Sequence, residues 1–255
     1  MKTPEKFIQD VAKQAGKITL DFFKKAEVQY IKKHALDVVT QADLAANKFI
    51  VESIKEEFPN DGIISEETGE SNVDSEYVWI IDPLDGTLNF AKSIPIYTVL
   101  FARAQAGVVE LAVVYDPIHD ELCFAKRGEG AYLNGKKVTC TQMKTLDDTV
   151  GCINGNIKPD TISKLEKMIN ASSTGRVAAT SYYGIGINSL YVATGRRDWY
   201  MTNGGALWDH AAPSLILEES GCKITTLDGK PWTFADKTML AANPELHKYI
   251  SGVIN

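Results

Sequence analysis

The feature that most constrains the fold is Tyr77-Val78-Trp79-Ile80-Ile81, an unbroken apolar run that passes straight into Asp82-Pro83-Leu84-Asp85-Gly86-Thr87. Consecutive large apolar residues of this kind predict a strand covered on both faces, which requires layers of structure above and below it. When such a strand ends in a carboxylate, it delivers that carboxylate to the rim of its sheet, where open α/β sheets place their ligands. Pro83 fixes its own φ and has no N–H to donate. Gly86 permits a tight turn, and a short helix is expected from Thr87-Leu88. Backbone N–H groups at such a corner suit an anion. Two carboxylates beside it would repel that anion, and a divalent cation bridging carboxylate and phosphate oxygens removes the conflict. The alternative is a plain turn in which Asp85 caps the next helix.

The pattern recurs. "GIISEET" ends a second apolar strand on Glu66-Glu67, and "GALWDHAAP" opens a helix at Asp209 directly after an aromatic residue. Taken singly, these read as a solvated loop and a partner for the helix dipole. Three acidic strand or helix ends in one chain favour a site for a hard cation.

The surrounding chain divides in texture. Thr3-Pro4 starts an amphipathic helix, and "TQADLAANKFIVESIKEEFP" predicts a second, with Thr40 and Asp43 spaced as a capping box and Asn60-Asp61-Gly62 as its end. A polar loop is expected from Glu67 to Glu76. Then comes a hairpin around Gln105-Ala106-Gly107, followed by short strands with a tight turn at Asn134-Gly135. From about residue 145 strands alternate with helices near 159–170, 184–194, Asp209 to Ser220 and after Pro244, and Gly221 fits the position just past a helix end. The expectation is one unit of two packed subdomains: an α+β part over 1–144 carrying most acidic ligands, and an α/β part over 145–255 carrying Asp209 and the substrate contacts.

Composition excludes several classes. The net charge of −6 over 255 residues argues against nucleic acid and anionic membranes as partners. The most basic stretch, "FFKKAEVQYIKK", reads as a solvated helix end and loop. Cys123, Cys140, Cys152 and Cys222 form no C-x-x-C pair and read as reduced core thiols of a cytoplasmic protein. The N-terminal helix is charged throughout, unlike a signal peptide, and no apolar run reaches the length of a membrane span.

"WIIDPLDGTLNF" resembles the signature of the inositol monophosphatase family of lithium-sensitive phosphatases. "ISEE", "LWDHAA" and "DVVTQAD" resemble its other motifs, in order, over residues 37–212. The resemblance implies a layered α-β-α-β-α sandwich, usually a homodimer, that hydrolyses a small-molecule phosphate ester. Glu66, Asp82 and the Leu84 carbonyl would hold one Mg²⁺, and Asp82, Asp85 and Asp209 a second. Glu66, with Glu67 nearby, would share a third, and Li⁺ would inhibit. The Asp85-Gly86-Thr87 corner would hold phosphate, with the Gly86 and Thr87 N–H groups facing it. The Thr87 hydroxyl and the Asp43 carboxylate would orient and deprotonate the attacking water, although Asp43 also suits a helix cap. Lys32 or Lys33 is a candidate contact to that water. His210 and Trp208 read as packing residues.

Two departures bear on substrate. Where the family carries a Gly-Ser/Thr-Ala stretch, this chain has Tyr182, Tyr183 and Gly184, and Thr202 stands where the family has a glutamate before its Trp-Asp motif. Inositol 1-phosphate leads, with fructose 1,6-bisphosphate, histidinol phosphate, NADP and 3′-phosphoadenosine 5′-phosphate open. The haloacid dehalogenase-like phosphatases also end a strand on Asp-x-Asp-Gly-Thr, but this chain has one more residue between the aspartates. A non-catalytic metal- or phosphate-binding scaffold is the alternative of a different class.

Overall fold

Residues 77–81 lie inside the larger of two stacked sheets in the computed structural model, which describes residues 2–25, 28–32, 38–154, 158–182 and 184–255. Lys33, Asp37 and Tyr183 lie outside the described residues. In chain order the first elements are α1 (Pro4–Phe22), β1 (Val28–Ile31), β2 (Val38–Thr40), α2 (Gln41–Glu57), β3 (Gly62–Ser65), β4 (Gly69–Ser71), β5 (Tyr77–Asp85) and α3 (Thr87–Ala91). Next come β6 (Thr98–Gln105), β7 (Val108–Asp116), β8 (Glu121–Lys126), β9 (Gly130–Leu133) and β10 (Lys136–Val138). The remainder is β11 (Thr149–Asn154), α4 (Pro159–Ala171), β12 (Val177–Thr180), α5 (Ile185–Ala193), β13 (Trp199–Thr202), α6 (Leu207–Glu219), β14 (Lys223–Thr225), β15 (Met239–Ala242) and α7 (Pro244–Ile254).

Among the described residues the larger sheet has the order β10-β9-β8-β7-β6-β5-β3-β4 and the smaller β12-β11-β13-β15-β14. The two-residue period of a strand then builds the layers. Trp79, Ile81, Val99, Phe101 and Val113 face α1 and α2, where they pack with Phe7, Ile8, Ile50 and Ile54. Ile80, Leu100, Ala102 and Val114 face the other way, onto Leu190 of α5 and Leu215 of α6. On its far side the smaller sheet meets α4 and α7 through Trp199, Leu240, Met168, Leu246 and Ile250. The result is the layered α-β-α-β-α sandwich. Trp79 is fully buried, and its indole N–H donates to Asp61 at 2.9 Å, so the largest core ring leaves no unmet donor.

Several details differ from the sequence expectations. Val28–Ile31, read as part of a helix end and loop, is a strand paired antiparallel with β2, because its β-branched and aromatic residues favour extended backbone. The polar loop before Glu76 contains β4, which hydrogen-bonds to β3. β12, an edge strand of small residues, has no sequence signal of its own. α6 begins two residues before Asp209. The apolar strand does not stop at Asp82 but runs on to Asp85. The turns at Ala106-Gly107 and Asn134-Gly135 have left-handed φ at both residues, as two-residue hairpins demand. All four cysteines are free and buried. Among the described residues no helix is long and apolar enough to cross a membrane.

Gly151 of β11 lies flat against the indole of Trp199, and a Cβ added there would overlap that ring. Because Trp199 is fully buried it has little room to yield. Gly151→Ala is expected to destabilise the protein by about 1–3 kcal/mol. A urea unfolding midpoint equal to that of the wild type would show that the ring moves aside without strain.

Candidate active site

Asp82 and Asp85 are three residues apart, and in a regular strand they would point to opposite faces. The ladder resolves this with a bulge. Three steps along β5, from Asp82 to Asp85, oppose two along β6, from Leu100 to Thr98. Pro83 lies within the bulge, where a missing N–H is tolerated. The extra residue returns Asp85 to the face of Asp82, which is the face covered by α5 and α6. Gly86 follows with φ +92°, and a Cβ there would come within 3.1 Å of the Ile96 carbonyl, so the corner is built for glycine.

The N-terminus of α6 brings Asp209 to the same place. One carboxylate oxygen from each of Asp82, Asp85 and Asp209 lies within 4.8 Å of the others. Two oxygens on opposite sides of a Mg²⁺ are about 4.2 Å apart, so the three need little movement to share an ion. Each carboxylate is oriented by backbone. Leu84 N–H donates to Asp82 Oδ1 at 3.0 Å, and Ala206 N–H donates to Asp209 Oδ2. Asp85 is clasped most firmly. Its Oδ1 accepts from Ile185 N–H at 3.0 Å, and its Oδ2 accepts from Gly186 N–H at 2.8 Å and from the Thr98 hydroxyl at 2.9 Å. Gly184 and Gly186 leave room for this clasp. A Cβ on Gly184 would meet Asp85 Oδ2 at 3.0 Å, and one on Gly186 would overlap the Thr98 hydroxyl.

Burial pushes Asp82 well above the ordinary carboxylate range, and repulsion from Glu66, Asp85 and Asp209 adds to it. Asp85 is raised to about 6 and Asp209 to about 8, burial again being the main cause, while the N–H donors pull each back. Among the described residues none of the three makes an ion pair. The donors are all hard oxygens. His210, next in sequence to Asp209, directs Nε2 at the Gly204 carbonyl (3.1 Å), and burial lowers its pKa to about 4, so it packs as a neutral ring. Such a set suits Mg²⁺ rather than a softer metal.

Glu66 stands apart from the three. Its Oε1 lies 3.0 Å from Lys32 Nζ, which also reaches Glu67 Oε1 at 2.8 Å. Burial alone would weaken the Lys32 ammonium's hold on its proton, but the two glutamates outweigh this and raise its pKa. Lys32 therefore meets the glutamates directly. The Leu84 carbonyl, another expected ligand, accepts from the Thr87 hydroxyl at 2.9 Å.

Two residues past Asp85, the Thr87 hydroxyl donates to Asp43 Oδ1 at 3.0 Å. Asp43 Oδ2 accepts from the Thr40 N–H at 2.9 Å and the Thr40 hydroxyl at 2.5 Å, so the helix-capping role and the pairing with Thr87 coexist. Burial raises Asp43 to about 7. The substrate candidates fare differently. Thr202 is fully buried and its hydroxyl donates to the Gly204 carbonyl, which places it inside the wall and not at its surface. Gly184 abuts Asp85, as described. The Tyr182 ring packs edge-on to Tyr191 and its hydroxyl accepts from Arg197, away from the carboxylates. Sequence reading missed Thr98, the α5 N–H groups and Asn89, whose side chain donates to Ile96 O and Tyr182 O. None has a local signal, because each acts on a partner distant in sequence.

The model of the family described as "Inositol monophosphatase family" matches residues 2–254. The chain is 33% identical over 252 residues to "Inositol-1-monophosphatase" of Bacillus subtilis, covering 95% of this chain and 94% of that protein. It is 32% identical over 219 residues to "Fructose-1,6-bisphosphatase/inositol-1-monophosphatase" of Thermotoga maritima, covering 86% and 83%. Among solved structures, the extragenic suppressor protein suhB of Bartonella henselae superposes with a TM-score of 0.90 at 28% identity, covering 98% of this chain and 97% of that one.

The raised carboxyls make a prediction with a definite sign. Asp82, Asp85 and Asp209 hold protons more tightly folded than unfolded, so their contribution to stability is complete below about pH 4 and lost as pH rises through their folded values. For Asp85 and Asp209 that loss runs through about pH 6 to about pH 8. A divalent cation such as Mg²⁺ would bind the cluster in its ionised form, so Mg²⁺ is expected to raise the melting temperature more at about pH 8 than at about pH 5. Thermal melts with and without Mg²⁺ at both pH values check this, and a larger shift at the lower pH would remove these carboxylates as the metal site.

Proposed function

The chain belongs to the inositol monophosphatase family and is a phosphatase of small phosphate esters, and from that premise we propose that it hydrolyses inositol 1-phosphate with Mg²⁺, by direct attack of water on phosphorus. The observation that carries the reading is the convergence of Asp82, Asp85 and Asp209 beside the Thr87–Asp43 pair. These three would hold one Mg²⁺. Glu66 and the Leu84 carbonyl would join Asp82 at another, once Glu66 parts from Lys32, and Glu66, with Glu67 nearby, would share a third. When bound, the ions neutralise phosphoryl oxygens and acidify a water.

The chain's own residues do the rest. The Asp85-Gly86-Thr87 corner presents its N–H groups to phosphate. Thr87 Oγ1 has one proton and two acceptors in reach, Asp43 Oδ1 and the Leu84 carbonyl. Were the Leu84 carbonyl taken up by a metal, the Thr87 hydroxyl would donate to Asp43 alone, its oxygen would accept from the attacking water, and the water's proton would pass through Thr87 to Asp43. A base with a pKa of about 7 is matched to this transfer near neutral pH. Li⁺ inhibits, in this reading, by entering the Asp82–Asp85–Asp209 cluster, and the protein works in the cytoplasm as a homodimer.

A second substrate has specific support. Thr202 supplies no carboxylate to accept ring hydroxyls, and the Thermotoga relative's name couples inositol 1-phosphate with fructose 1,6-bisphosphate. A Mg²⁺-dependent phosphate-release screen over both esters, histidinol phosphate, NADP and 3′-phosphoadenosine 5′-phosphate decides between them. Absence of turnover on the whole panel would favour a binding scaffold, and retention of configuration at phosphorus would replace water attack by a covalent route.

Asp82→Asn and Asp85→Asn are each expected to abolish Mg²⁺-dependent release while the protein remains folded by circular dichroism, and near-wild-type turnover in either would sink the site assignment. Asp43→Ala should lower kcat by about 100-fold or more while the Mg²⁺ activation midpoint moves little. An unchanged kcat would leave Asp43 as a helix cap alone.

A further inference from the structure

None of the four cysteines belongs to the carboxylate cluster, and two of them differ from the others. Cys123 and Cys152 are fully buried, whereas Cys140 is 4% exposed and Cys222 is 7% exposed. Burial pushes the Cys123 thiol up to about 12 and the Cys152 thiol up to about 11, which leaves both protonated and inert. Cys140 and Cys222 pack against each other.

Their meeting is set by the backbone. Cys140 follows β10, in the segment that joins the larger sheet to the smaller. Cys222 follows α6, the helix packed between the sheets. α6 closes with Gly221 N–H donating to Glu218 O at 2.9 Å and Cys222 N–H donating to Leu217 O at 3.0 Å, and Gly221 takes φ +93°. This Schellman end fixes where Cys222 stands. Cys140 N–H donates to Ser220 O at 3.0 Å, and Cys140 Sγ would lie 3.8 Å from a Cβ on Gly221. Cys140 is thus held against the residues just before Cys222. The two thiols are not equivalent. The Cys222 thiol acts as a donor toward the Cys140 sulfur, which holds Cys140 below the ordinary thiol range, and the same interaction, with burial, pushes Cys222 well above it. Oxidation-sensitive cysteines share this layout, a thiol that ionises readily beside one that resolves it.

We propose that Cys140 and Cys222 are a redox modification site: a dithiol that hydrogen peroxide closes into a disulfide, with Cys140 attacking and Cys222 resolving. The Cys140 thiolate attacks one peroxide oxygen, the O–O bond breaks, and the departing hydroxide takes up the thiol's proton to become water. Cys140 is then a sulfenic acid. The Cys222 sulfur attacks the Cys140 sulfur, the S–S bond forms as the S–O bond breaks, and the oxygen leaves as a second water with the Cys222 proton. The two thiols together lose two electrons and two protons, and one peroxide becomes two waters. The new bond ties the segment between the sheets to the end of α6. No reading of the carboxylate cluster enters this assignment.

The test treats the folded full chain with hydrogen peroxide and then unfolds it for thiol counting and peptide mapping. The four free thiols are expected to fall to two, with a mass loss of two hydrogens, one cross-linked peptide pair joining Cys140 to Cys222, and recovery of all four thiols on reduction. In Cys222→Ser no cross-link forms and Cys140 alone gains oxygen. In Cys140→Ser the Cys222 thiol persists. Survival of all four thiols in the wild-type chain would overturn the proposal. So would a bond that maps to Cys123 or Cys152 or joins two chains, and so would oxidation of Cys222 in Cys140→Ser. The wild-type measurements need no variant to fold, so they decide the matter if either serine variant does not.

Discussion

Like charge gathered away from water is the constraint on which the rest of the structure depends. Asp82 and Asp85 are almost wholly buried, and Asp209 joins them with an oxygen within 4.8 Å of theirs. Left to themselves, such groups would separate or take up protons. They stay because each is fixed by an element whose position is set elsewhere. Asp82 follows Trp79, Ile80 and Ile81, which are locked between two hydrophobic layers. Asp209 is held to the first turn of α6 by its bond to Ala206 N–H, and α6 is packed between the sheets. The apolar sandwich acts as a frame that supplies the energy to keep the carboxylates together until a cation neutralises them.

Asp85 carries a further burden, because it is where the two sheets' helices and strands meet. The residue that would bind metal is also the residue that closes the N-terminus of α5. That double use explains the two glycines facing it. At Gly184 and Gly186 the space that a side chain would fill is taken by the Asp85 carboxylate and the Thr98 hydroxyl. The glycines therefore shape the surroundings of the Asp85 carboxylate. Lys32 plays a comparable part at the edge of the cluster. Its ammonium pairs with both Glu66 and Glu67, so Glu66 would have to leave that ion pair before it could serve a metal.

How much of this was legible in the sequence depended on whether the cause was local. Capping by Thr40 and Asp43, the hairpin turns at Ala106-Gly107 and Asn134-Gly135, and the twice-buried strand at residues 77–81 follow from neighbouring residues, and all could be read directly. The order of layers followed from the resemblance alone. β12 and β4 were not legible, since short strands of small or polar residues form by pairing with strands already present. Nor was the clasp on Asp85, whose donors are backbone groups about a hundred positions away and carry no residue-type signature. The burial of Thr202 was not legible either. Its position relative to the Trp-Asp motif is a matter of spacing, but whether a β13 side chain faces the site or the core depends on the register of that strand in its sheet.

The bulge in β5 also bears on how phosphorus is attacked. With a single residue between two aspartates, a regular strand places both carboxylates on one face and leaves each able to act alone, one as nucleophile and one as acid. With two residues between them, shared direction requires the irregular backbone seen at Asp82–Asp85, and the same irregularity brings Leu84 N–H onto Asp82 Oδ1. Asp85 is held by three donors. A carboxylate so restrained is a poor nucleophile, since attack requires an oxygen lone pair to advance along the line of the breaking bond. It is a good metal ligand, since coordination rewards a fixed direction. In the proposed mechanism the extra residue would leave the nucleophilic role to water, and the Thr87–Asp43 pair would supply the base that water needs.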